Sequence, residues 1–107
     1  MYKEYRITVD KTIFGSTTIT GRPRSPGFRY VVTVESDTGT DKLSEVDNRT
    51  QYDAIDEGLA KLLMLLAMRD ERAIVKVVRY TSPISEGAKQ MLADKYATES
   101  SFASLTL

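Results

Sequence analysis

Along the first ten residues Tyr5, Ile7 and Val9 alternate with Arg6, Thr8 and Asp10, the period-two pattern of a strand with one face in a core. "TIFGSTTIT" (12–20) either extends that strand or forms a small hairpin, and "GRPRSPG" (21–27), with Pro23 and Pro26, reads as a loop. "FRYVVTVES" (28–36) predicts a second strand, rich in β-branched and aromatic residues. "SDTGT" (36–40) supplies turn residues, and "DKLSEV" (41–46) predicts a shorter returning strand.

From Asp47 the period changes. Ile55, Leu59, Leu62, Leu63 and Leu66 fall on one helical stripe. Asp47, Asn48 and Thr50 are each able to cap its start, and Asp53, Asp56 and Glu57 lie where the helix dipole favours acids. "AIVKVVRY" (73–80) predicts a strand apolar enough to be covered on both faces. After "TSP" a second helical stripe runs through Ile84, Ala88, Met91 and Leu92. The order β-β-β-α-β-α, with a possible final β, predicts an α/β fold with a mixed sheet. Three strands are antiparallel, one or two are parallel, and the helices pack on the sheet. Residues 1–96 read as one domain and 97–107 as a tail or a short last strand.

Composition narrows the chemistry. The 107 residues hold no Cys and no His, which removes disulfides, thiolate metal sites, the usual zinc ligand and the commonest general base. No apolar run approaches the roughly 20 residues of a membrane span, and the start "MYKEYRITVD" has no leader-like apolar stretch. The cytoplasm is the expected compartment, with no membrane partner and no cofactor. Net charge is zero but unevenly spread. Residues 1–30 carry six basic groups against two acids, a balance of +4, and residues 31–60 two against eight, a balance of −6.

The order of elements, with "YRITVDKT", then "GRPRSPGFRYVVTV", then "VDNRTQYDAIDEGL" at the helix start, resembles the ribonuclease H-like family. In many of its members this helix opens much like "TNNxAEYxALIxGL". Asn48, Tyr52, Ala54, Gly58 and Leu59 fall in register with that pattern. The resemblance spans roughly residues 5–95 and implies the strand order 3-2-1-4. It also implies three carboxylates, which by position are Asp10, Gln51 and Thr81. Only Asp10 is still an acid, and within these residues the family's later catalytic segment has no counterpart.

Two-metal hydrolysis needs closely spaced divalent ions whose repulsion is offset by several negative ligands. Gln51 and Thr81 bring no charge, so the expected site is degenerate and holds no metal. Asp53 lies about 200° round the helix from Gln51 and cannot replace it, whereas Asp47 is the better-placed substitute. The resemblance therefore implies an inactive, non-enzymatic binding module. Such a module suits a phage or mobile-element accessory protein, and its partner is a protein, a second copy of itself, or nucleic acid. The alternatives are a metal-dependent nuclease with rearranged carboxylates and a structural or assembly protein.

Two surfaces are candidates. Arg22, Arg24 and Arg29 flank the loop on the side where the family meets nucleic-acid backbone, and guanidinium forks suit phosphates. The alternative is solvated loop charge. Behind the helix's core stripe lie Met64 and Met68, with Leu65 to one side. They form either an adaptable partner surface or a face buried under the C-terminal tail.

Overall fold

The computed structural model describes residues 2–14, 18–19, 22–23, 27–38, 42–44 and 50–107. Its strands are β1 (Lys3–Phe14), β2 (Thr18–Ile19), β3 (Arg22–Pro23), β4 (Gly27–Ser36), β5 (Lys42–Ser44), β6 (Ala73–Tyr80) and β7 (Phe102–Thr106). Its helices are α1 (Gln51–Met68) and α2 (Glu86–Tyr96).

One five-stranded sheet runs β5-β4-β1-β6-β7, and β2 and β3 form a separate pair. β1 pairs antiparallel with β4 and β4 with β5, whereas β1 with β6 and β6 with β7 are parallel. The fold is therefore α/β with a mixed sheet, three strands antiparallel and two parallel. Without the short β2–β3 pair, the strands lie in the order third, second, first, fourth, fifth. Arg22 and Pro23, expected in a loop, pair with Thr18 and Ile19. Residues 97–107 hold the short last strand, and its edge position removes the expectation of a tail folded over the back of α1.

Both helices cover the same face of the sheet. Tyr5, Ile7 and Val9 of β1 and Val32 and Val34 of β4 are buried there against Ala54, Ile55, Leu59, Leu62 and Leu66 of α1. Each of the valines, isoleucines and leucines among them stabilises the fold by about 1.5–3 kcal/mol relative to exposure. Gly58 is buried on the same helix face. The opposite face of the sheet has no helix among the described residues, and here the sequence expectation fails. β6 was expected to be covered on both sides, but Lys76, Val78 and Arg79 are exposed, Val78 by 54%. The β1–β6 register slips between Ile7 and Thr8, leaving Val78 as the extra residue of a bulge. The second helical stripe is also shifted. Ile84 precedes α2, Met91 is exposed, and Leu92 and Tyr96 are the residues buried.

The ends of the helices follow local chemistry. The Thr50 hydroxyl caps α1 by accepting from Asp53 N at 3.1 Å, and Ser85 caps α2 by accepting from Ala88 N at 3.1 Å. Of the other cap candidates, Asp47 and Asn48 lie outside the described residues. At the far end of α1, Glu71 N donates to Leu66 O and Asp70 N to Ala67 O. Asp70 occupies the left-handed position with φ 52°, where glycine is usual.

β1 and β4 pair from Tyr5/Ser36 as far as Phe14/Gly27, but β6 leaves β1 at Val9. The last residues of β1 and the first of β4 are therefore a two-stranded ribbon running past the rest of the sheet. The molecule accordingly measures 57 × 31 × 20 Å, with a radius of gyration of 15.7 Å against about 13 Å for a compact chain of this length.

A polar tie locks α2 to α1. The Tyr96 hydroxyl donates to Asp56 Oδ1 at 2.5 Å, and Lys95 Nζ lies 2.8 Å from the same carboxylate. The Tyr96 ring also stacks at a tilt on Phe102, centroids 5.8 Å apart. Burial, then the hydrogen bond to Asp56, pushes the Tyr96 hydroxyl well above its ordinary value of 10.0. The hydrogen bond to Asp56 raises Lys95 in the same direction. Both groups hold their protons more tightly in the folded chain, so their contribution is complete at neutral pH and is lost as pH rises above about 10. Equilibrium urea unfolding should show stability falling through that alkaline window, and falling less in Tyr96→Phe. That variant should lose about 1.5–3 kcal/mol at neutral pH, as expected for a hydrogen bond to a charged group.

Candidate functional site

In the structure the middle of β1, the end of β6 and the first turn of α1 meet, and the contacts among them are structural. Thr81 N donates to Val9 O at 3.0 Å, continuing the parallel ladder one residue past β6. The Thr81 hydroxyl donates to Val9 O at 3.1 Å and accepts from Lys11 N at 2.6 Å. In a regular parallel ladder Lys11 N would next donate to the Thr81 backbone carbonyl. Here it donates to the Thr81 hydroxyl instead, so Thr81 ends the ladder with its side chain. Gln51 Nε2 donates to Ser82 O at 2.9 Å, tying the start of α1 to the same turn.

Asp10 does not join them. Alternation along β1 puts Tyr5, Ile7 and Val9 under the helices and Asp10 on the opposite face with Glu4, Arg6 and Thr8. There its Oδ1 accepts from Arg79 Nη2 at 2.7 Å. Gln51 and Thr81 therefore share one turn, while the remaining acid faces away from α1 and is ion-paired. Asp53, on the first turn of α1, is exposed. Among the described residues no group of three His, Cys, Asp or Glu side chains could hold a metal ion.

The two predicted surfaces fare differently. Arg24 lies outside the described residues, Arg22 is described by its backbone in β3, and Arg29 stands half-buried on β4 opposite Thr12 in the ribbon. On the outer side of α1 Met64 and Met68 are 66% and 82% exposed, and Leu65 is partly buried against the core. Of the two readings of that methionine pair, burial under the tail is excluded.

A feature the sequence reading missed is a polar groove on the open sheet face. It is a cavity of about 340 Å³ lined by Arg6, Thr8, Thr33, Glu35 and Val78, among others. Beside it Glu4 pairs with Lys76 at 3.1 Å and with Arg6 at 3.7 Å. Lys76 and Arg6 hold the Glu4 carboxyl below its usual range, the Lys76 hydrogen bond contributing most. The signal was present in the alternation of Arg6, Thr8 and Asp10, but the apolar run of β6 masked it.

No helix among the described residues is long and apolar enough to cross a membrane. No protein-family model, curated protein or solved structure matches the chain.

Returning an acid to the helix start tests this geometry. Gln51→Glu replaces a donor with a carboxylate facing the Ser82 carbonyl. It should lower stability by about 1–3 kcal/mol, and added Mn²⁺ should not restore the melting temperature. A rise in melting temperature with Mn²⁺ would reveal a ligand set that this arrangement does not contain.

Proposed function

We propose that the chain is a non-catalytic binding module built on a ribonuclease H-like strand order, engaging a protein partner through the outer side of α1. The observation that carries this reading is the use made of the three positions where that family holds its acids. Thr81 and Gln51 are committed to backbone hydrogen bonds that hold strand ends and helix start together, and Asp10 is paired with Arg79 on the other face. Charge neutral at two positions and averted at the third offers nothing to gather two divalent cations. The strand order supports the fold part of the reading. The exposed Met64 and Met68 support the partner side, because methionines adapt to varied apolar surfaces.

A second reading is favoured by the ribbon. It extends past the sheet and carries Lys11 and Arg29, and a two-stranded β-ribbon is one of the shapes that fits the major groove of duplex DNA. In this reading the module binds phosphate backbone as well as, or instead of, a protein.

Incubation with single-stranded DNA, duplex DNA and RNA–DNA hybrid, with Mg²⁺ or Mn²⁺, should give no cleavage. Cleavage abolished by Asp10→Asn would replace the binding module with a nuclease of rearranged ligands. Fluorescence anisotropy on the same nucleic acids separates the two binding readings. Salt-sensitive association weakened by changing Lys11 and Arg29 to Ala would select the ribbon. Absence of association at low salt leaves the α1 surface, where Met64→Asp should abolish capture of the partner while leaving the circular dichroism unchanged.

A further inference from the structure

β7 forms one edge of the five-stranded sheet. Ala73 N donates to Ser101 O at 2.9 Å, which sets the phase of the parallel ladder. Ala73 and Val75 turn their backbone groups toward β7. Leu105, opposite Val75, therefore turns its own N–H and C=O outward.

Exposed edges are usually guarded by charge, proline or a bulge. The sequence from Phe102 to Leu107, Phe-Ala-Ser-Leu-Thr-Leu, has neither charge nor proline. Its register irregularity lies between Phe102 and Ser104, leaving Ser104–Thr106 regularly paired with β6.

Alongside this edge the side of α2 is open. A cavity of about 280 Å³ lies against Ala93, Ala97, Phe102 and Leu105, and another of about 200 Å³ against Lys89, Ala93, Leu105 and Leu107. Ala93 and Leu105 line both, so the two cavities form one trough between α2 and β7. Leu105 and Leu107 are only half-buried in it. A strand added outside β7 would satisfy the outward backbone groups and drop alternate side chains into the trough, a spacing of about 6.6 Å.

We propose that the occupant is β7 of a second copy, paired antiparallel about a two-fold axis at Leu105. In that register Leu105 exchanges both backbone hydrogen bonds with Leu105 of the second copy. Leu107 then falls opposite the small Ala103, so large and small residues alternate across the axis. The strand is its own complement, as an isologous contact requires. Like charges do not meet, because the segment has none. The same symmetry runs the two α2 helices antiparallel, setting the end that carries Glu86 beside the end that carries Lys95, with opposed dipoles. The five-stranded sheet is thereby doubled into one continuous sheet.

Sedimentation velocity from micromolar to millimolar concentration tests this directly. The wild-type chain should show a monomer–dimer equilibrium. Leu105→Pro removes the outward N–H without removing a hydrogen bond to β6, and should raise the dissociation constant at least about tenfold. Leu107→Asp, one residue past β7 and only partly buried, should do the same with unchanged far-ultraviolet circular dichroism. Met64→Asp on α1 should leave the dimer intact. A chain that is monomeric at every concentration overturns the proposal. So does a dimer that survives Leu107→Asp, or one lost in Met64→Asp, which would locate the contact on α1.

Discussion

The pairing of β1 with two partners of opposite sense is the constraint on which the rest of the molecule depends. β1 is central, antiparallel to β4 and parallel to β6. A hairpin reaches an antiparallel neighbour through a local turn, but a parallel neighbour needs a crossover, and α1 is the element that makes it. The same alternation that buries Tyr5, Ile7 and Val9 under α1 sends Glu4, Arg6, Thr8 and Asp10 to the other side. One strand thus divides the sheet into a face that carries the fold and a face that carries charge.

That division also decides what the junction of mid-β1 with the end of β6 can do. A site assembled there from β1, β6 and α1 would need their side chains to point into one space. In this chain Gln51 and Thr81 instead bind the backbone of Ser82, Val9 and Lys11. The Thr81 hydroxyl accepts the Lys11 N–H, the bond a backbone carbonyl would take in a continued ladder. Polar residues at this junction therefore contribute order to the scaffold. Around it lie the exposed methionines of α1, the ribbon, the charged sheet face and the edge at β7.

The elements were largely legible from period alone. The β1 alternation and the stripe through Ile55, Leu59, Leu62 and Leu66 correspond to buried positions because each pattern matches one backbone repeat. The misreadings share a cause. In "AIVKVVRY" the apolar residues outnumber the charged ones, and composition cannot reveal that the sheet face carrying Lys76 and Val78 has no helix over it among the described residues. In α2 the stripe included Met91, but Leu92 and Tyr96 are the residues that face inward, where the Tyr96 hydroxyl bonds to Asp56. Such a contact joins residues 40 positions apart, well beyond the reach of a local pattern.

The sequence by itself determined the order of the main elements, the core stripe of α1 and the absence of Cys and His chemistry, because these depend on short-range spacing and residue type. Only the tertiary structure decided that Asp10 faces away from Gln51 and Thr81, that Met64 and Met68 stay exposed, and that the last strand lies at an uncharged sheet edge. Those outcomes depend on strand register and on which face the helices choose, and both are set by contacts between residues far apart in the chain.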